Sequence, residues 1–113
     1  MDKSILIVDD AQEVRELARL GLEMDGWRVT AAASGHEALG CLKLHVPAVV
    51  LLDVDLPDCS GAELLSLLRE GRPELDVIAF TASSALPPGM EVRGAIPKPF
   101  DPFTLASDVS RLL

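Results

Sequence analysis

Short apolar runs punctuate the chain, and between them apolar residues recur at helical spacing. "SILIV" (4–8), "WRVTA" (27–31), "AVVLL" (48–52) and "DVIAF" (76–80) read as strands 1 to 4, and "GAIP" (94–97) as a weaker fifth. Strands 1, 3 and 4 are apolar on both faces, as parallel strands covered by helices on each side are. Val14, Leu17, Ala18 and Gly21 form a stripe between Asp10 and Asp25, with Gly26 as the C-terminal stop. Gly21 predicts close packing on the sheet. Ser34 with Glu37, and Ser60 with Glu63, have capping-box spacing for the second and third helices, and Pro47 and Gly71 follow them. The last helix is expected to open with Asp101 as N-cap and Pro102 at the first position, burying Leu105, Ala106, Val109 and Leu112. The alternation predicts a doubly wound parallel α/β sheet.

One segment breaks the rhythm. Between strands 4 and 5 the chain reads "ASSALPPGMEVR" (82–93), and its two prolines and glycine permit a helical turn but no regular helix.

Composition narrows the class. With 113 residues, 49% of them hydrophobic, the chain reads as one domain (1–113) that folds without disulfides. Cys41 and Cys59 have no metal-type spacing. The opening "MDKSILIVDD" is too short in apolar length for a signal peptide or a membrane span, which predicts a cytoplasmic protein with no membrane partner. A net charge of −8 disfavours direct nucleic-acid binding by this chain, because phosphate contacts need a basic face.

The polar residues then take on a pattern. Asp9 and Asp10 follow strand 1, Asp53 ends strand 3, Thr81 ends strand 4 and Lys98 follows strand 5. Carboxyl ends of strands in an open α/β sheet share one edge, where ligands bind. If strands 1 and 3 are neighbours, Asp9, Asp10 and Asp53 converge, and three such carboxylates cannot all stay ionised without a cation. Oxygen donors suit a hard divalent ion such as Mg²⁺. With Lys98 as a fixed positive charge and Thr81 as a hydroxyl, this is a site for a phosphoryl group. Taken singly, each residue has a plainer reading: the acid pair as a solvated helix cap, Thr81 as a strand end, Lys98 as a surface lysine. His36 and His45 flank the second helix away from this edge and read as surface residues, and Trp27 as a cover for the sheet edge beside strand 2.

At these positions the chain resembles the response-regulator receiver domains of two-component signalling. The matching pieces, in family order, are "ILIVDD" (5–10), "LLDVDLPDCSG" (51–61), "FTAS" (80–83) and "IPKPF" (96–100). The resemblance implies a flavodoxin-like, five-stranded parallel sheet in the order 2-1-3-4-5, here with the fourth helix shortened or missing. It also implies that Asp53 accepts a phosphoryl group from a sensor histidine kinase or a histidine phosphotransfer protein. Mg²⁺ would be held by Asp10, Asp53 and the backbone carbonyl of Asp55, with Asp9 acting mainly through water. Thr81 and Lys98 would hold the phosphoryl oxygens, the peptide bond before Pro99 would be cis, and Asp55 and Ser83 would set the phosphoryl lifetime. Such a domain is a switch, not an enzyme on other substrates, and it works on a downstream protein or output domain.

The chain departs from the family in one place. Three residues before Lys98, where receivers carry an aromatic that rotates with the threonine, it has Ala95, and it contains no tyrosine. The stretch from Thr81 to Lys98 is also several residues shorter than usual. Intact phosphorylation chemistry without the usual transmission device is therefore expected. Two alternatives compete. One is a receiver that binds partners without phosphorylation. The other is a haloacid-dehalogenase-like phosphatase using Asp53 and Asp55, although its D-x-D belongs on the first strand.

Overall fold

The structure, a computed structural model, describes residues 2–82, 86 and 89–113. In chain order the elements are β1 (Ser4–Val8), α1 (Gln12–Met24), β2 (Arg28–Ala32), α2 (Gly35–Leu44), β3 (Val49–Asp53), α3 (Gly61–Arg69), β4 (Asp76–Thr81), β5 (Ala95–Pro97) and α4 (Leu105–Leu112). The five strands are parallel, in the order β2-β1-β3-β4-β5. Among the described residues no helix is long and apolar enough to cross a membrane.

Side chains on successive strand residues point to opposite faces, and each face of this sheet has its own core. Ile5, Ile7, Val49, Leu51, Ile78 and Phe80 pack with α1, Trp27 and α4. Leu6, Val8, Val50, Leu52 and Val77 pack with α2 and α3. This two-sided burial is why β1, β3 and β4 carry no polar position between their first and last residues.

Both capping serines act as their spacing predicts. Ser34 Oγ accepts from Glu37 N, and Ser60 Oγ from Glu63 N, each at 3.1 Å. Several other expectations need correction. Leu17 is 47% exposed, because the buried stripe of α1 runs through Ala18, Gly21 and Leu22 and leaves Leu17 on its flank. Gly21 meets the loop before α4 instead of the sheet: a Cβ there would stand 2.1 Å from the carbonyl oxygen of Pro102. Trp27 is buried in the α1-side core. Asp101 does not cap the last helix directly. Its carboxylate accepts from Phe103 N at 2.8 Å and its carbonyl from Thr104 N, which makes a turn that α4 follows from Leu105.

No helix occurs among the described residues between β4 and β5. Instead Met90 and Val92 lie against the α3-side core, where a helix would otherwise cover the sheet. The guanidinium of Arg69, at the end of α3, donates to the carbonyls of Leu75 and Glu91 and ties this segment down. Pairing with β4 starts ahead of β5, with Arg93 N on Val77 O at 2.8 Å. Residues 83–85, 87 and 88 lie outside the described residues, and the reading of Ser83 falls there.

Candidate functional site

Register places the polar residues. Val8 pairs with Leu52, so Asp9 and Asp53 follow side by side. Asp53 pairs with Phe80, and Thr81 with Pro97, which puts Lys98 one residue beyond Thr81. Lys98 N donates to Thr81 O at 2.8 Å, extending that alignment past the strand end. The Lys98–Pro99 peptide bond is cis.

At this edge one carboxylate oxygen from each of Asp9, Asp10 and Asp53 lies within 4.8 Å of the others. Asp9 is fully buried, Asp53 nearly so and Asp10 exposed. Asp9 Oδ1 accepts from Ala11 N at 2.9 Å, and its other oxygen is 2.5 Å from Lys98 Nζ. Asp53 Oδ1 accepts from Asp55 N at 3.0 Å, and Oδ2 is 3.6 Å from the same ammonium. Burial pushes the Asp53 carboxyl above its usual range, and the charges of Asp9 and Asp10 push the same way. The Asp55 amide and Lys98 oppose them without prevailing. Among the described residues, the cation paired with these three carboxylates is the ammonium of Lys98, so the cluster keeps a negative excess. An all-oxygen donor set with excess negative charge fits a hard divalent cation.

Two residues at this edge carry no signal in the strand pattern. Phe80 looks like an ordinary core residue, yet Lys98 Nζ lies 5.0 Å from its ring centroid, and Phe100 packs against it at 4.9 Å. The ring face gives the lysine a seat that favours a cation. Asp58 lies in the loop after Asp53 and accepts from the amides of Gly35 and His36 at the start of α2. The Ser34–Glu37 spacing made that helix end look complete, but it serves only part of it. His36 and His45 are exposed.

A flavodoxin-like sheet gathering three aspartates, a threonine and a lysine at its carboxyl edge defines the receiver class of two-component signalling proteins. The response regulator receiver domain family matches residues 5–110, and the chain belongs to that family. Among solved structures it is similar to the chemotaxis response regulator CheY4 of Vibrio cholerae, with a TM-score of 0.90, 26% identity and full coverage of both chains. It is also similar to the response regulator TrrA of Thermotoga maritima, solved in complex with Mg²⁺–BeF (TM-score 0.85, 30% identity, 98% of this chain and 99% of that one). The probable transcriptional regulatory protein TcrX of Mycobacterium tuberculosis is 39% identical over 83 residues, which cover 74% of this chain and 36% of TcrX. The chain spans between about a third and a half of the length of such curated relatives.

Proposed function

We propose that this chain is the phosphorylation-controlled receiver of a response regulator and that Asp53 is its phosphoacceptor. The observation that carries the reading is the convergence of Asp9, Asp10 and Asp53 within 4.8 Å around a lysine that touches two of them. A carboxylate oxygen of Asp53 attacks the phosphorus of a phosphohistidine on a sensor histidine kinase or a histidine phosphotransfer protein. The phosphorus–nitrogen bond breaks, and the electron pair leaves with the imidazole. Asp10, Asp53 and the backbone carbonyl of Asp55 would hold Mg²⁺, which would supply charge neutralisation at the phosphoryl oxygens while the phosphoryl group passes in line. Asp9 is committed to Lys98 and takes part through water. Thr81 and Lys98 hold the remaining phosphoryl oxygens, and Asp55 and Ser83 tune how long the group stays. The D-x-D of the phosphatase alternative lies at the end of the third strand here, and family membership disfavours that reading. The output is a downstream protein, as a receiver of the length of CheY4 or TrrA would need, or a further domain, as the greater length of curated relatives such as TcrX suggests.

Intact mass after incubation with Mg²⁺ and a small phosphodonor should show one added phosphoryl group. It should be absent in Asp53→Asn and in excess chelator. Equal labelling of Asp53→Asn would overturn the assignment of the acceptor.

Transmission should differ from the family pattern. Ala95 is exposed on β5 opposite the buried Ala79 and has no ring to turn. The response to phosphorylation should therefore stay in the loops around Asp53 and Thr81, with partners engaging α1 or the 82–93 stretch. Backbone amide shifts with and without beryllofluoride should change at those loops and little in β5 and α4. Large changes throughout β5 and α4 would show that an aromatic is not needed for the usual coupling.

A further inference from the structure

The loop after β3 completes the N-terminus of α2. A helix begins with amides that have no partner inside it. In α2, Ser34 Oγ takes Glu37 N and the Ser34 carbonyl takes Ala38 N. The amides of Gly35 and His36 remain, and they donate to the two carboxylate oxygens of Asp58, each at 3.1 Å, from 23 and 22 residues away. These two amides, that of Gly35 first, hold the Asp58 carboxyl below its usual range. The seat is shaped for this approach, because a Cβ on Gly35 would stand 2.5 Å from Cys59 Sγ.

The same loop carries the cation site at its other end. Asp53 opens it, and Asp55 N donates back to the Asp53 carboxylate. Gly61 N on Val54 O and the bridge between Asp55 and Ser60 close its base. Gly61 lies so near that its Cβ would be 3.0 Å from Val54 Cα. Asp58 and Cys59 form the tip, and the tip is what rests on α2.

We propose that Asp58 is a positioning residue for the cation site. By clamping the 53–61 loop to the N-terminus of α2, it holds Asp53 and Asp55 in the arrangement that a divalent cation requires. The proposal rests on the receiver reading above. Its thermodynamic consequence is reciprocal: the factor by which loss of the clamp weakens Mg²⁺ is the factor by which Mg²⁺ tightens the clamp.

The test titrates Mg²⁺ calorimetrically into the whole chain and follows amide hydrogen exchange at Gly35 and His36. Asp58→Ala should weaken Mg²⁺ about fivefold, the size of effect that losing one capping contact produces. Gly35→Ala, which crowds the seat from the opposite side, should weaken it comparably, and the double variant should be no worse than the poorer single one. Asp58→Asn keeps one acceptor oxygen and should fall between. In the parent, Mg²⁺ should slow exchange at both amides, and in Asp58→Ala it should not. A purely structural cap would speed exchange and lower the melting temperature while leaving the Mg²⁺ affinity unchanged. That result would overturn the proposal. Asp10→Ala is the control. If it binds Mg²⁺ as well as the parent, the site assignment itself fails, and the proposal with it. If Asp10→Ala loses binding but the Asp58 variants do not, only the clamp is wrong.

Discussion

Replacing Lys98 with Met should destabilise the metal-free protein by about 3 kcal/mol, because it leaves Asp9 as a buried carboxylate without its cation. Asp9 has no exposed surface, and the Lys98 side chain is only 19% exposed, so water cannot take the lysine's place cheaply. Met keeps the length and the contact with Phe80, and the lost charge dominates the effect. In a domain of this size the change lowers the melting temperature by roughly 10–20 °C. The double variant Asp9→Asn, Lys98→Met removes both members of the pair and should recover most of the loss. Urea unfolding of the parent, the two single variants and the double variant measures this. A single Lys98→Met variant within about 1 kcal/mol of the parent would mean that the ion pair holds Asp9 far more weakly than its burial implies.

The fold was legible because its sequence cues are local. The doubly apolar runs at β1, β3 and β4 require cover on both faces, and the helical stretches between them supply it. The strand order came from the family resemblance, since alternation alone does not say which strands are neighbours. Where the reading slipped, distant contacts decided the outcome. The stripe of α1 was centred one position off because Gly21 faces the Pro102 carbonyl and not the sheet, and 81 residues of chain separate the two. Asp101 with Pro102 has the composition of a helix start, but the carboxylate closes a turn on Phe103 instead. A turn and a first helical turn use the same residue types.

The site was legible for a different reason. Asp9, Asp10, Asp53, Thr81 and Lys98 stand at strand ends, and a parallel sheet brings strand ends to one edge whatever lies between them. Asp58 could not be found that way, because its role lies in a contact between a loop and a helix that share no register. Only a count of the α2 amides exposes the need for it, and the count points to no particular donor of oxygens. Phe80 was hidden by its setting: a ring in a strand reads as core, and its second role depends on where the Lys98 chain folds back. The two prolines and the glycine between 82 and 93 predict no regular helix, and Met90 and Val92 take over the cover that a helix would give.

Mg²⁺ should raise the melting temperature of the parent by roughly 10 °C at a hundred times its Kd, since a ligand bound only by the folded state adds about 2.7 kcal/mol at that concentration. Asp10→Ala should abolish this response while making the metal-free protein more stable. Two opposing effects set the sign of the second change. Asp10 precedes the N-terminus of α1, where a negative charge gains about 0.3–1 kcal/mol when exposed. Against that, its carboxylate lies within 4.8 Å of oxygens on both Asp9 and Asp53. Each repulsion is worth about 1 kcal/mol even at the dielectric constant of water, and more beside buried partners. Lys98 offsets part of the Asp9 contribution but sits farther from Asp53, whose carboxyl is raised first by burial and then further by the charges of Asp9 and Asp10. Repulsion therefore outweighs the helix end, and removing Asp10 relieves more than it loses. Because the side chain is exposed, the substitution leaves no cavity to confuse the comparison. Thermal melts with and without Mg²⁺ decide both parts. An undiminished Mg²⁺ response in Asp10→Ala would exclude Asp10 as a ligand, and a less stable metal-free variant would show that the helix terminus prevails over the crowding.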